Sequence, residues 1–504
     1  MRLYSTFVAV RRSLVAVLTG ALACYGVLAI TEPPGPGLDP DTMSYVGAAE
    51  SLARRHVLRI PAAPWPWADS TAALGHFPPG FPVAIAVPVM LGAPSVQAAR
   101  GVEAAAAFVT VALAAWLVGS AAGAGAGLLA GGLFLVTPSF AFDHWQVVSE
   151  PLCIALLMAT LVLMATSRRP WTYGLTAAAA GMVRYAGFAG TGAAALWAFG
   201  RSGTGAERLR RAAVATAPSV AAQFAWWLRT AAEAGEVRQF GLRGSWGPTL
   251  RELGGTLGAW LAPSVPWTWL AAPVAVAVGV LAVVVLARAG RARAESAVPP
   301  RRVIEAAVLL MACYAALVLF SRLFVDLTIP LDERLLSPFI VLAQVAVVTA
   351  LGVAWRGWSR RPRTAIALAL SLWLFGSGRA TVVAVRDALD GGWGYAGDEW
   401  RGSRLGAYLR ADAGGAAIFS NNPATAFFLT GRPTRDVPET LDPDSVAAFG
   451  AVLSERNGVL VRFPFDLRSG APPDSLAKRL GLIEMARFPD GAVWAPAGRR
   501  RARP

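Results

Sequence analysis

Apolar runs alternate with short polar breaks along most of this chain. A helix needs about 20 mostly apolar residues to cross the hydrocarbon core of a bilayer. Windows of that kind fall near 13–31, 97–118, 123–138, 149–166, 172–183, 185–200, 212–228, 265–287, 303–321, 335–354 and 364–383. The fifth and sixth are short enough to form one broken unit. Counted separately they make eleven spans, which puts the two termini on opposite sides. Three longer polar intervals remain, at 32–96, 229–263 and 384–504. The last has an apolar run at 415–420, a helical pattern at 444–458 and a strand-like run at 459–463, punctuated by Gly and Pro. That pattern predicts an α/β region. Gly119, Gly123, Gly127 and Gly131 recur every fourth residue, a small-residue ridge suited to close helix contact.

Composition narrows the class. The chain of 504 residues is 55% hydrophobic and 15% charged, with a net charge of +15. Soluble domains are typically about 45–50% apolar and about 25% charged, so a soluble enzyme is excluded, and so is disorder. A nucleic-acid partner is excluded too, because the basic residues lie between apolar runs rather than on a polar surface.

Arginines in short loops stay cytoplasmic. With the N-terminus inside, the inner segments carry Arg2, Arg11, Arg12, Arg168, Arg169, Arg201, Arg208, Arg210, Arg211, Arg288, Arg291, Arg293, Arg301, Arg302, Arg356, Arg360, Arg361 and Arg363. Set against Glu207 and Glu295, these eighteen give +16, which leaves −1 for the rest of the chain. The reading is an α-helical polytopic protein of the cytoplasmic (inner) membrane with about eleven transmembrane helices. Its N-terminus is cytoplasmic and its C-terminal α/β region is extracytoplasmic. The domain boundary falls between 1–383 and 384–504. Cys24, Cys153 and Cys313 all lie in spans, so no disulfide framework is implied. Ala21-Leu22-Ala23 before Cys24 faintly resembles a cleavage site, but the apolar run continues to Ile30, which favours an intact span.

Candidate chemistry gathers at the outer ends of the spans. Asp39-Pro40-Asp41 directly follows the first span, and two carboxylates so placed can hold a divalent cation or supply a general base. Asp41 also suits the N-cap of a helix over Thr42–Arg55, a purely structural role. His76 lies in His-Phe-Pro-Pro-Gly-Phe-Pro, a rigid turn before an apolar segment at 83–93. Asp143, His144 and Glu150 are concentrated before the fourth span, where they can reach a metal or a sugar, while Glu150 also suits a helix start. Arg184 sits between two short apolar segments, where a charge faces a cavity, a partner or an anionic ligand, or snorkels to headgroups. Arg334 follows Asp332 and Glu333, which could neutralise it, and Arg322 and Asp326 share that loop. Guanidinium groups bind phosphate bidentately.

In order, these segments resemble the bacterial polytopic glycosyltransferases of the GT-C fold, relatives of the protein O-mannosyltransferases and the aminoarabinose lipid A transferases. The resemblance rests on Asp39-Pro-Asp41…Tyr45…Ala48-Ala49, His76-Phe-Pro-Pro-Gly-Phe-Pro82, Ser149-Glu150-Pro-Leu152, Arg184-Tyr-Ala-Gly187, Glu333-Arg-Leu-Leu-Ser-Pro338 and Ser420-Asn-Asn-Pro423…Leu429-Thr-Gly-Arg432. It implies a polyprenyl-phosphate-linked sugar donor and an envelope glycan, lipid or protein acceptor. It implies Asp41, or else Asp39, as the catalytic carboxylate. Arg184 and Arg334 would sit on the donor phosphate, and Tyr45, His76 and Glu150 would line the substrate cavity. The mannosyltransferases carry an adjacent Asp-Glu pair, whereas Pro40 splits the acids here. That departure leaves open which acid acts and whether a divalent cation, with His144 as a further ligand, takes part. The competing reading is a transporter or flippase of an anionic lipid. It predicts inverted repeats and polar residues at the bilayer midplane, and the sequence has neither.

Overall fold

The computed structural model describes residues 2–66, 69, 71–233, 244–261, 296–327, 329–411, 416–464 and 470–498. Its helical part runs α1 (Arg2–Ile30), α2 (Pro40–Arg55), α3 (Gly80–Met90), α4 (Ser95–Ala122), α5 (Ala124–Leu135), α6 (Pro138–His144), α7 (Glu150–Thr166), α8 (Pro170–Val183), α9 (Ala189–Phe199), α10 (Gly205–Glu233), α11 (Trp246–Leu261), α12 (Pro300–Phe320), α13 (Glu333–Trp355) and α14 (Arg360–Gly391). Five described helices, α1, α4, α12, α13 and α14, are long and apolar enough to cross a membrane. The α5–α6 pair, bent by 64°, makes a sixth if it counts as one span. The expected span at 265–287 lies outside the described residues. These apolar helices place the chain among membrane proteins.

The Gly119–Gly131 ridge serves packing, but not along one helix. Gly123, at φ +105°, breaks it into the α4–α5 hairpin. A Cβ on Gly127 would stand 2.5 Å from the Ala115 carbonyl, and one on Gly131 would meet Thr19 of α1. Only glycine allows the helices to approach this closely. The largest buried cluster spans α1, α4, α7, α8, α9, α12 and α13, so α4, α7 and α13 form the middle of the bundle. Their outer faces differ from those of α1 and α14, whose exposed Leu14, Leu18, Leu372 and Phe375 suit lipid.

The short windows at 172–183 and 185–200 are two short helices that fold back on each other: a Cβ on Gly190 of α9 would lie 3.3 Å from the Ala177 Cβ of α8. α8 stops at Val183, Arg184 is extended at φ −150°, and a 3₁₀ turn at Tyr185–Phe188 leads into α9. Arg184 caps α8, its N–H donating to Ala180 O at 3.0 Å, and its carbonyl accepts from Gly187 N at 2.8 Å to start the 3₁₀ turn. The 83–93 segment is helical only to Met90, in a helix, α3, that begins earlier, at Gly80, and is 11 residues long. That is about 16 Å at 1.5 Å per residue, too short to span a bilayer.

The tail carries a six-stranded sheet of order β2-β5-β4-β6-β8-β7, made of β2 (Ala62–Ala63), β4 (Ile418–Ser420), β5 (Thr434–Asp436), β6 (Val459–Arg462), β7 (Ile483–Phe488) and β8 (Gly491–Ala495). β2, β5, β4 and β6 are parallel, and β8 and β7 are antiparallel. Helices Pro423–Thr430 and Pro443–Glu455 make the crossovers that parallel pairing requires. The edge strand β2 comes from the 32–96 loop, where β1 (Arg59–Ile60) and β3 (Ala72–Ala73) form a small antiparallel pair. Ala62 and Ala63 pair with Thr434 and Arg435, so the loop after α1 and the tail share one sheet.

Candidate functional site: carboxylates converging on Arg334

The segment that delivers the acidic motif is pinned from both sides. Gly37 N donates to Trp145 O and Val147 N donates to Gly37 O, each at 2.9 Å. On the other side Tyr395 N donates to Leu38 O at 2.9 Å, and Leu38 N to Trp393 O at 3.3 Å. Gly394 has φ +59°, and a Cβ there would lie 2.0 Å from Leu38 O, so the clamp needs glycine.

From this clamp the chain turns into α2. The expected N-cap was Asp41, with the helix starting at Thr42. The cap is instead Asp39, with Pro40 at the first helical position. Thr42 N donates to Asp39 Oδ1 at 2.9 Å, and Asp39 N donates to Thr42 Oγ1 at 2.9 Å, closing a capping box. Proline has no N–H to lose at that position and its fixed φ already suits a helix, which decides the register. Asp39 therefore has the structural duty and Asp41 is released from it.

Arg334 gathers the acids. Its Nη1 donates to Asp39 Oδ2 at 2.7 Å, its Nη2 to Asp41 Oδ2 at 2.8 Å, and its Nε to Glu150 Oε1. The neighbouring acids do not neutralise it. Asp332 caps α13 by accepting from Leu335 N at 2.8 Å, and residues adjacent on a helix do not face each other. Arg184 Nη1 adds a second cation, 3.1 Å from Glu150 Oε1 and 3.2 Å from Ser149 Oγ. Ser149 Oγ lies 3.2 Å from the Tyr45 hydroxyl, which brings α2 into the same network. Asp39, Asp41, Tyr45, Glu150, Arg184 and Arg334 thus form one connected group.

Exposure separates the three acids. The side chains of Glu150, Asp39 and Asp41 are 1%, 15% and 33% exposed. Burial, reinforced by the Asp41 charge and opposed by Arg334, pushes the Asp39 carboxyl from 3.8 up to about 6. Burial and then the nearby acids push the Tyr45 hydroxyl well above 10, so it stays neutral.

Two expected members lie elsewhere. His76 lines a separate cavity beside Phe77 rather than the carboxylate cluster. His144 is fully buried, with Nδ1 2.8 Å from Phe140 O and its ring 3.9 Å from that of Phe140. Among the described residues no group of three His, Cys, Asp or Glu side chains is disposed to hold a metal ion. Asp39, Asp41 and Glu150 point at a guanidinium, not at a common cation position. Arg322 is engaged by Glu252 at 3.0 Å and stands apart from the cluster.

Ser149, Trp393 and Tyr395 were not singled out as site residues, although they orient it. Ser149 was visible only as part of a motif. Nothing in the sequence signals that residues 393–395 lie against residue 38. Glu103 was also missed. It is 1% exposed within α4 and accepts from Val148 N at 3.2 Å, and a lone acid in the 97–118 apolar run was its signal.

No family model matches the sequence, and no curated protein matches it. Solved structures do match. ArnT from Cupriavidus metallidurans, bound to undecaprenyl phosphate, aligns over 96% of this chain and 98% of its own, at TM-score 0.50 and 14% identity. Mycobacterial arabinofuranosyltransferase AftD aligns over 96% of this chain at TM-score 0.54 and 17% identity; this chain spans 42% of AftD. The oligosaccharyltransferase AglB from Archaeoglobus fulgidus, in complex with an inhibitory peptide and a dolichol-phosphate, aligns over 90% of this chain and 69% of its own, at TM-score 0.51 and 10% identity. Identity this low speaks to the fold alone, and the three agree on it. The chain has the GT-C glycosyltransferase fold that its ordered motifs resemble.

Proposed function

We propose that the protein is a membrane glycosyltransferase that moves a sugar from a polyprenyl-phosphate donor to a hydroxyl of an envelope acceptor, on the outer side of the cytoplasmic membrane. The observation that carries this reading is the convergence of Asp39, Asp41 and Glu150 on Arg334, with Arg184 beside them. Transfer from a lipid phosphate needs a carboxylate near the anomeric carbon and cations near the departing phosphate. Both are present within one hydrogen-bonded group. The polyprenyl phosphates bound by ArnT and AglB supply the donor class.

In this reading Asp41 is the base. It is the most exposed of the three acids and carries no capping duty. The acceptor oxygen forms a bond to the anomeric carbon as the bond from that carbon to the phosphate oxygen breaks. Asp41 takes the acceptor proton, and the electron pair leaves with the polyprenyl phosphate. Arg334 and Arg184 neutralise the phosphate as its charge grows. Attack from the face opposite the phosphate inverts the anomeric centre. Asp39 and Glu150 hold Arg334 in position, and every step uses side chains of this chain.

The test is purified protein in proteoliposomes with a radiolabelled polyprenyl-phosphate sugar and an envelope fraction. Label moving to the acceptor in a form resistant to mild acid supports transfer. Movement of intact donor across the bilayer without cleavage would establish the transporter reading in its place.

A further inference from the structure

A cavity of about 620 Å³ lies between α2, residues 56–64 and 71–77, and the end of β5. None of Asp39, Asp41, Glu150, Arg184 and Arg334 lines it. Its volume is within the roughly 300–1,000 Å³ of small-molecule sites. An aromatic partition separates it from the carboxylate cluster: Phe77 lines the cavity, and its ring centroid is 4.9 Å from that of Tyr45, whose hydroxyl meets Ser149. Ser44 of α2 also lines it, three residues and about one turn from Asp41.

The walls indicate what fits. Among the described residues their formal charges come from Arg59, Arg229, Asp69 and Asp436, two of each sign, so the described lining is neutral. The arginines are engaged in building the wall. Arg229 donates to Leu74 O at 2.9 Å and Leu58 O at 3.0 Å, and Arg59 donates to Thr71 Oγ1 at 2.8 Å. A phosphate asks for net positive charge and an acyl chain for a continuous apolar slot; among the described residues the lining offers neither. Paired donors and acceptors beside the rings of Phe77 and His76, which meet edge-on at 4.7 Å, suit a neutral polyhydroxylated ligand. The parallel strands β2 and β5 also run into this space, since Pro64 and Asp436 at their carboxyl ends line it. Ligands of open parallel sheets bind beyond that end.

We infer that this cavity is the acceptor pocket and that the acceptor is a neutral glycan, whose hydroxyl reaches Asp41 around the Tyr45–Phe77 pair. The inference rests on the glycosyl-transfer reading above.

Three fractions from cells lacking the protein serve as probes: neutral oligosaccharides released from the envelope, a lipid extract, and envelope protein. Label from the polyprenyl-phosphate sugar is expected in the oligosaccharides. Asp436→Asn and, separately, the cavity-filling Ser44→Phe are expected to raise the oligosaccharide KM at least tenfold while the donor KM moves less than threefold. Label confined to lipid or protein would overturn the inference. So would an unchanged oligosaccharide KM, or donor and acceptor KM values rising together, which marks a merely structural role. Equilibrium binding of the same oligosaccharides without donor keeps the two readings distinguishable. Binding that Asp436→Asn weakens tenfold supports the pocket even if the wild type cleaves no donor, whereas absence of binding removes the pocket whatever the chemistry.

Discussion

Arg334 Nη2 lies 2.8 Å from Asp41 Oδ2, although 293 residues of chain separate them. One of these residues lies in the first turn of α13 and the other in the first turn of α2. Their contact joins a span of the bundle to the loop that follows α1. The same guanidinium holds Asp39 and Glu150, so the positions of α2, α7 and α13 are fixed against each other at this point.

Asp41 and Asp39 separate by substitution. Asp41→Asn removes the proposed base and keeps the shape, so kcat is expected to fall about 10²–10⁴-fold. The donor KM should stay close to the wild-type value. Asp39→Asn changes the cap and one contact to Arg334, and its first effect should be on stability. Initial rates with labelled donor, set beside thermal melting in detergent, read both. A larger kcat loss in Asp39→Asn than in Asp41→Asn would reverse the assignment.

Arg334 is expected to be indispensable to the fold as well as to transfer. Arg334→Met leaves Glu150, 1% exposed, facing Asp39 and Asp41, with Arg184 the one cation among the described residues still on it. Breaking a buried pair this way costs about 3–5 kcal/mol. Adding Glu150→Gln should recover part of that, because the two changes share one interaction. A double-mutant cycle of melting measurements checks it, and strict additivity would mean that the contact contributes nothing.

Asp39 predicts a pH dependence of stability. Its carboxyl is raised from 3.8 to about 6 in the folded chain, so the native state holds the proton more tightly than the unfolded one. The corresponding stability is fully present below about pH 4 and is lost as pH rises through about 6. Asp39→Asn, which cannot titrate, should lack that component. Melting temperatures of both proteins between pH 4 and 7.5 make the comparison, and parallel curves would contradict it.

The clamp on residue 38 gives a prediction outside the cluster. Gly394→Ala forces a side chain onto φ +59° and against Leu38 O. A strained residue of this kind costs about 1–3 kcal/mol, and the shift it imposes on Leu38 should move Asp39 and Asp41. A lower melting temperature together with a reduced kcat is expected. Gly391→Ala, where a Cβ meets nothing within 4 Å and the backbone is helical, is the control.

The sequence alone specified a good deal of this protein. Apolar runs located α1, α4, α12, α13 and α14, because the 20-residue requirement of a bilayer is written directly in composition, and a shorter run located α7. The ordered motifs indicated the GT-C fold, and Asp39, Asp41, Glu150, Arg184 and Arg334 stood out as charges beside apolar segments. Tertiary structure decided which of them meet. Capping depended on the register that Pro40 sets, so Asp39 and not Asp41 caps the start of α2. Arg334 passed over its chain neighbours for acids from two distant elements, because adjacent positions on a helix point apart. His76 and His144 were as prominent in sequence as Glu150, yet one lines a second cavity and the other packs on Phe140. The strand that Ala62 and Ala63 lend to the tail left no trace in the sequence, since two residues carry no periodicity and their pairing is set by a partner some 370 positions away. Local pattern fixes the elements; which side chains face one another is settled only when the elements pack.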